Sequence, residues 1–178
     1  IRGIGRSDGP RQVDLDAVPL QGVDLSPLAQ NEQIFELKLS SSGTNIRQWK
    51  TLQSMKWLTR FDVKDCEIDG EGIQWVLDSF PNLKHFAFSA GTNPACFDGR
   101  GVSLEIVDRE HLAMIDFGET PMFFLDKIRI VNAPRLSIPI RAIYVQDMEI
   151  ARSPSLTGLA LQGPPPAGAK VADLRGLR

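Results

Sequence analysis

Pairs of apolar residues separated by one position return at a nearly constant interval through the first half of this chain. Val13/Leu15, Leu37/Leu39, Phe61/Val63 and Phe86/Phe88 have second members spaced by 24, 24 and 25 residues. The residue inside each pair is polar or small: Asp14, Lys38, Asp62 and Ala87. Such alternation puts one face of a short strand into a core and turns the other outward. A strand that returns every two dozen residues has few folds open to it. One unit of that size cannot enclose a core, so successive units must stack with their apolar rows in line.

The stretch 58–83 shows one unit in full. It reads Leu58-x-x-Phe61-x-Val63-x-x-Cys66-x-Ile68-Asp69-x-x-Gly72-Ile73-x-x-Val76-Leu77-x-x-Phe80-Pro81-Asn82-Leu83, and Leu83-x-x-Phe86-x-Phe88 then opens the next. A strand with Phe61 and Val63 inward is followed by a turn at Gly70 and Gly72. A helix over 74–80 with Ile73, Val76, Leu77 and Phe80 on its apolar side then ends at Pro81. In the preceding unit Ile46, Trp49 and Leu52 keep a three-residue step, and Asn45 is placed to cap that helix.

This pattern resembles a leucine-rich repeat of the cysteine-containing, RNase-inhibitor-like kind, over 34–88 and most closely over 58–88. The resemblance implies an α/β solenoid, a horseshoe with a parallel inner sheet and helices on the convex side. It also implies a binding role for the concave face and a packed, reduced Cys66. A Cys66–Cys96 disulfide is the competing reading for the two thiols.

Beyond Phe88 the texture changes. The stretch 90–101 holds Gly91, Asn93, Pro94, Gly99 and Gly101 and reads as a long loop. Strand-like pieces follow at 102–107, 112–117, 127–131, 135–140, 142–145 and 156–161, too close together for helices between them. In the first of two phasings Ile115/Phe117, Leu136/Ile138 and Leu159/Leu161 continue the inner sheet, and the pieces at Leu104, Ile128 and Val145 are outer strands. In the second, Ile128/Ile130 and Ile143/Val145 join the inner sheet, because Ile140-x-x-Ile143-x-Val145-x-x-Met148-x-Ile150 copies the 58–68 spacing. The first is preferred, since steps of about fifteen residues are short for a full unit. The convex side of the second half is then short strands or loops.

The ends differ from the body. Residues 1–12 are irregular, 13–161 form the solenoid, and 162–178 begin with Gly163-Pro164-Pro165-Pro166-Ala167-Gly168, a linker composition, and finish in a tail. The absence of an initiator Met and of hydrophobic end caps leads us to expect a piece of a longer chain.

With 42% hydrophobic and 24% charged residues the chain has the composition of a folded domain rather than a disordered one. A net charge of -2 argues against a nucleic-acid partner, and no apolar run is long enough to span a bilayer.

Chemistry-bearing patterns are sparse. His85 and His111 are the only histidines, and neither His-x-x-x-His nor Cys-x-x-Cys occurs. A metal site would need stacking to bring His85 to Asp62 and Asp116, and a glycosidase-like pair would need Asp62 beside Asp116. No Gly-x-Ser-x-Gly elbow is present, and 40–44 (Ser-Ser-Ser-Gly-Thr) reads as a turn rather than a phosphate loop. No cofactor is called for.

What remains is surface. Outward residues should align as Lys38, Asp62, Ala87, Asp116, Ser137 and Ala160, flanked by Glu36, Arg60, His85, Met114, Arg135 and Gly158. The aromatics Trp49, Trp57, Trp75, Phe61, Phe86 and Phe88 fall at packing positions, whereas Tyr144, Met114 and Phe123-Phe124 are candidate anchors. The binding candidates are Lys38, Arg60, Asp62, His85, Met114, Asp116 and Tyr144. Opposite charges such as Lys38/Asp62 and Glu36/Arg60 can equally serve as cross-strand pairs worth about 0.2–1 kcal/mol. The expectation is a non-catalytic domain that binds another protein through its concave face. The competing expectation is a carbohydrate-binding or carbohydrate-acting β-helix-like domain of a secreted protein.

Overall fold

The computed structural model describes residues 11–66, 68–89, 97–116, 123–138 and 143–156. The chain forms β1 (Arg11–Asp14), β2 (Ile34–Lys38), β3 (Arg60–Val63), β4 (His85–Phe88), β5 (Phe97–Val107), β6 (Met114–Asp116), β7 (Phe123–Val131) and β8 (Ile143–Ala151). These make two open parallel sheets, a five-stranded one in the order β1-β2-β3-β4-β6 and a three-stranded one in the order β5-β7-β8. Neither closes into a barrel. Helix α1 (Ser26–Ala29) links β1 to β2, and α2 (Ile46–Trp49), running into a 3₁₀ turn, links β2 to β3. The ten-residue α3 (Gly70–Ser79) links β3 to β4. From β4 onward the chain alternates between the two sheets.

The register explains the spacing of the apolar pairs. Val13 lies beside Leu37, Leu37 beside Phe61, Phe61 beside Phe86, and Phe86 beside Ile115. Leu37, Phe61, Phe86 and Ile115 are fully buried, and Leu104, Ile106, Ile128 and Ile130 of the second sheet join the same core. Phe61 is central to the packing. Its ring stacks on Phe86 at 6.3 Å and meets Trp49 at 5.7 Å and Phe80 at 5.6 Å in edge-on contacts.

A second recurring feature is a left-handed residue after the strand. Ala17, Ser41 and Asp65 follow β1, β2 and β3, and Asp108, Asn132 and Arg152 follow β5, β7 and β8, all with φ between 50° and 57°. The backbone N–H groups of Ala17, Ser41, Asp108 and Asn132 donate to the carbonyls of Ser40, Lys64, Val131 and Ala151 at 2.8–3.0 Å. The sheet ladder therefore continues through each of these turns. An L-residue in this conformation costs about 1–2 kcal/mol, so the stacking of neighbours must hold it there.

Local signals read from the sequence place the helices well at one end and less well at the other. Asn45 caps α2, its side chain accepting from the Arg47 N–H at 3.1 Å. Helix α3, by contrast, starts at Gly70 rather than Gln74. Asp69 is its cap and accepts from the Gly72 N–H at 2.7 Å. A Cβ on Gly72 would approach Asp69 Oδ1 and Ile68 Cγ1 to 3.1 Å, so the glycine gives the cap room. The two glycines thus belong to the first helical turn, not to a turn before it.

Among the described residues the second half follows the first phasing in its strand assignments. β6 pairs with β4, and Met114 forms a bridge to Ser137, while Leu104, Ile128 and Val145 lie on strands of the second sheet. The rival phasing placed Ile128/Ile130 and Ile143/Val145 in the first sheet. Instead, β7 and β8 are long strands paired with each other, and β7 also pairs with β5. One detail of the preferred phasing is also corrected, since Ser137 sits beside Met114, not Asp116. A shift of two residues leaves every side chain on its original face, which is why alternation alone did not reveal it.

The expected loop over 90–101 also changes at its end, because β5 begins at Phe97. Between Gly99 and Ser103, β5 advances four residues while β7 advances two, so Gly99 and Gly101 mark an irregularity within a strand. Where α3 meets the second sheet, the Gln74 side chain stands in for a strand. Its Oε1 accepts from the Glu105 N–H at 2.9 Å and its Nε2 donates to the Glu105 carbonyl at 3.2 Å. Phe117, Cys96, the Leu159/Leu161 pair, residues 1–10 and the Pro/Gly-rich stretch with its tail lie outside the described residues.

Two substitutions test this packing. Phe61→Ala should lower unfolding free energy by about 3–5 kcal/mol in denaturant titration, since three ring contacts are lost around a fully buried site. A loss below about 1 kcal/mol would place Phe61 outside the core. Ala17→Gly relieves about 1–2 kcal/mol of left-handed backbone cost against about 0.5–1 kcal/mol of added chain entropy, so a net gain of about 0.5–1 kcal/mol is expected. A measured loss would mean that Ala17 is not left-handed in solution.

Candidate interaction face

The five-stranded sheet turns one side to the core and the other outward. Its outward rows follow from the register. One row is Gln12, Glu36, Arg60, His85, Met114 and Ser137, and the next is Asp14, Lys38, Asp62, Ala87 and Asp116. Six of the seven residues singled out from the sequence lie in these two rows. The seventh does not. Tyr144 is on β8, beside Phe124, and so belongs to the second sheet rather than to this face. The reason is that β8 runs unbroken from Ile143 to Ala151, a strand that a reading by short alternating pairs divides.

Within the second row the charges are satisfied internally. Lys38 Nζ lies 3.1 Å from Asp14 Oδ2. The Asp14 carboxyl is held below its ordinary range, first by the Asp16 backbone N–H and then by Lys38. Asp62 is only 8% exposed, although it stands on the outward side. The Ser40 hydroxyl donates to Asp62 Oδ1 at 2.6 Å, and the Lys64 N–H donates to the same hydroxyl at 3.1 Å. Asp62 is therefore a linker between β2 and β3 rather than an open acceptor.

Lys64 supplies a contact that the rows alone do not suggest. Its Nζ reaches Asp116 Oδ2 at 2.7 Å, bridging from the end of β3 to β6 over the intervening β4. The residue of β4 in that row is Ala87, whose small side chain leaves the path clear. The hydrogen bond with Asp116 raises the Lys64 pKa, partial burial lowers it, and the negative charges of Asp116 and Asp62 add to the rise. The signal that could have found Lys64 is its spacing, since Asp16, Ser40 and Lys64 recur at 24-residue intervals just after the strands. A further ladder runs along the same rim. Ser41 Oγ donates to Asp65 at 3.2 Å, and Ser89 Oγ accepts from the Asp65 N–H at 2.7 Å while donating to its carboxylate at 2.9 Å.

The first row is different. The side chains of Glu36, Arg60, His85 and Met114 make no hydrogen bond or ion pair among the described residues. Arg60 is half-buried, and its Nε is shielded from water with no acceptor beside it. Met114 is 38% exposed, with Val18 and Val23 the other large apolar side chains that stand open among the described residues.

The metal and carboxylate-pair arrangements considered from the sequence do not assemble. Asp62 and Asp116 do not adjoin, because Ala87 lies between them in the register and each has its own partner. Among the described residues no three His, Cys, Asp or Glu side chains are grouped to hold a metal ion. Cys66 is a buried free thiol that donates to the Leu39 carbonyl at 3.1 Å. It lies within 3.6 Å of Thr44 Oγ1, which in turn accepts from Trp49 Nε1 at 3.0 Å. No described helix is long and apolar enough to cross a membrane. Comparison with protein-family models, with curated proteins and with solved structures finds no match.

The Lys64–Asp116 bridge has a pH signature. A raised lysine pKa contributes stability that is present below the ordinary value of 10.5 and is lost as pH rises through the raised value. Lys64→Met should therefore cost under about 1 kcal/mol at neutral pH and flatten the loss of stability as pH rises above the ordinary lysine value of 10.5. Thermal melts of both proteins across that range check this, and identical alkaline slopes would remove the bridge.

Proposed function

We propose that this chain is a leucine-rich-repeat-like α/β solenoid that binds another protein through the outward face of its five-stranded sheet and carries no catalysis of its own. The finer architecture in this proposal is a curved stack, backed by α1, α2 and α3 in its first half and by β5, β7 and β8 in its second. Its support is the in-register row Val13, Leu37, Phe61, Phe86 and Ile115, together with the left-handed residue that returns after six of the strands. Units that stack this way leave a ribbon of strands with one side uncovered, and such extended surfaces suit large partners.

The observation that carries the binding reading is the contrast between the two outward rows. Lys38, Asp62 and Asp116 are engaged within the chain, whereas Arg60, His85 and Met114 are not. A face that exists only to join strands would have no need of an unpaired arginine in the same row as an exposed methionine. Arg and Met are both enriched in protein–protein contact surfaces. The carbohydrate reading draws less support. Sugar rings stack on exposed aromatic platforms, yet Trp49, Phe61, Phe80, Phe86 and Phe88 are buried, and Asp62 and Asp116 are separated by Ala87.

A photo-crosslinking residue at position 85 tests the assignment. It should trap one discrete partner protein whose purified form then binds the chain, while the same residue at position 129 on the second sheet should not. Trapping of equal strength from both positions, or from neither, would count against the face as a binding surface.

A further inference from the structure

The chemistry of the partner can be narrowed, on the basis of the binding reading above. The second outward row and its rim form a closed network: Lys38 with Asp14, Asp62 with Ser40, Lys64 with Asp116, and Asp65 between Ser41 and Ser89. Recruiting any of these to a partner would first break a bond inside the chain. That cost directs contact to the row that has none to break.

In that row the order along the sheet is Glu36, Arg60, His85, Met114, one residue per strand. Neighbouring strands lie about 4.8 Å apart, so Arg60 and Met114 are separated by about 10 Å. Arg60 is the cation with a shielded, unpaired Nε, His85 is a second donor beside it, and Met114 is the open apolar side chain. Glu36, the remaining member, stands on the far side of Arg60 from His85 and repels a second anion there.

We propose that the partner presents an extended segment lying across β3, β4 and β6, with a carboxylate over Arg60 and His85 and an aliphatic or aromatic side chain on Met114. The carboxylate meets the terminal guanidinium nitrogens of Arg60, which, unlike the shielded Nε, are not closed off from solvent and have no acceptor among the described residues. The apolar group covers Met114, whose flexible thioether adapts to varied shapes. Arg60 and Met114 set the order of the two groups, since they stand at opposite ends of the three-strand span. A basic segment is disfavoured because Asp14, Asp62 and Asp116 already have partners, and the remaining sheet-face carboxylate, Glu36, stands directly beside the cationic Arg60.

Selection of a random-peptide display library on the intact chain tests this. Enriched peptides are expected to share an Asp or Glu and a large apolar residue two to four positions apart. Synthetic peptides from that pool should lose about tenfold or more in affinity against Arg60→Gln and against Met114→Ser, with unchanged affinity for Arg129→Gln on the second sheet. Arg60→Glu should restore binding to a peptide whose acid is changed to Arg. Melting curves close to the wild type show that each variant is folded. If Lys64→Ala or His85→Ala weakens the enriched peptides but they lack the acid and the apolar residue, the proposed chemistry is wrong and the binding face stands. If no peptide is enriched, or none responds to any substitution on this face, both the chemistry and the binding reading fail.

Discussion

The interaction on which the rest of this structure depends is the stacking of matched apolar side chains from successive parallel strands. Leu37, Phe61, Phe86 and Ile115 occupy neighbouring positions in the sheet, and all are shut away from water. Apolar burial at about 25 cal/mol per Å² favours this arrangement only if each row finds its counterpart on the next strand. That requirement holds the strand register, because a slip by a single residue would turn Phe61 and Val63 to solvent and Asp62 inward. It also holds the turns. The left-handed conformation at Ala17, Ser41, Asp65, Asp108, Asn132 and Arg152 is unfavourable for each residue alone. At Ala17, Ser41, Asp108 and Asn132 it persists because the N–H groups there continue the ladder to the next strand.

The same packing accounts for the change of character half-way along the chain. In the first half, α2 and α3 bring Trp49, Ile73, Val76 and Leu77 onto the core, while in the second half Leu104, Ile106, Ile128 and Ile130 on strands do so. The two backings need a junction, since a strand edge facing a helix has peptide groups with no ladder partner. Gln74 resolves this with an amide that accepts from and donates to Glu105 as a neighbouring strand would. Asp78 of the same helix adds an ion pair to Arg109 at 3.1 Å. On the second sheet, charges pair across strands, with Arg129 2.8 Å from Glu149.

Function, on this view, follows from where internal pairing stops. The outward side of the five-stranded sheet contains both kinds of polar residue, those that join strands and those that do not. Ser40, Asp62, Lys64 and Asp116 are drawn together by hydrogen bonds between strands and so help to hold the sheet. Arg60, His85 and Met114 make no such bond among the described residues, and it is on them that the proposed binding role rests.

Much of the framework was legible from residue order alone. The 24- and 25-residue spacing, the alternation within each pair and the capping residue Asn45 all act through neighbours close in sequence or through a strict period, so they show in a linear reading. The core row from Val13 to Phe86 and the division of Leu104 and Ile128 onto another layer are of this kind. What only the tertiary structure decided is which outward residues are already occupied. Lys64 meets Asp116 over Ala87 two strands away, Asp62 is closed off by Ser40, and Tyr144 belongs to the other sheet. Side-chain reach across strands depends on the length of one residue, the smallness of another and the register between them, and none of these is expressed by the period that reveals the strands.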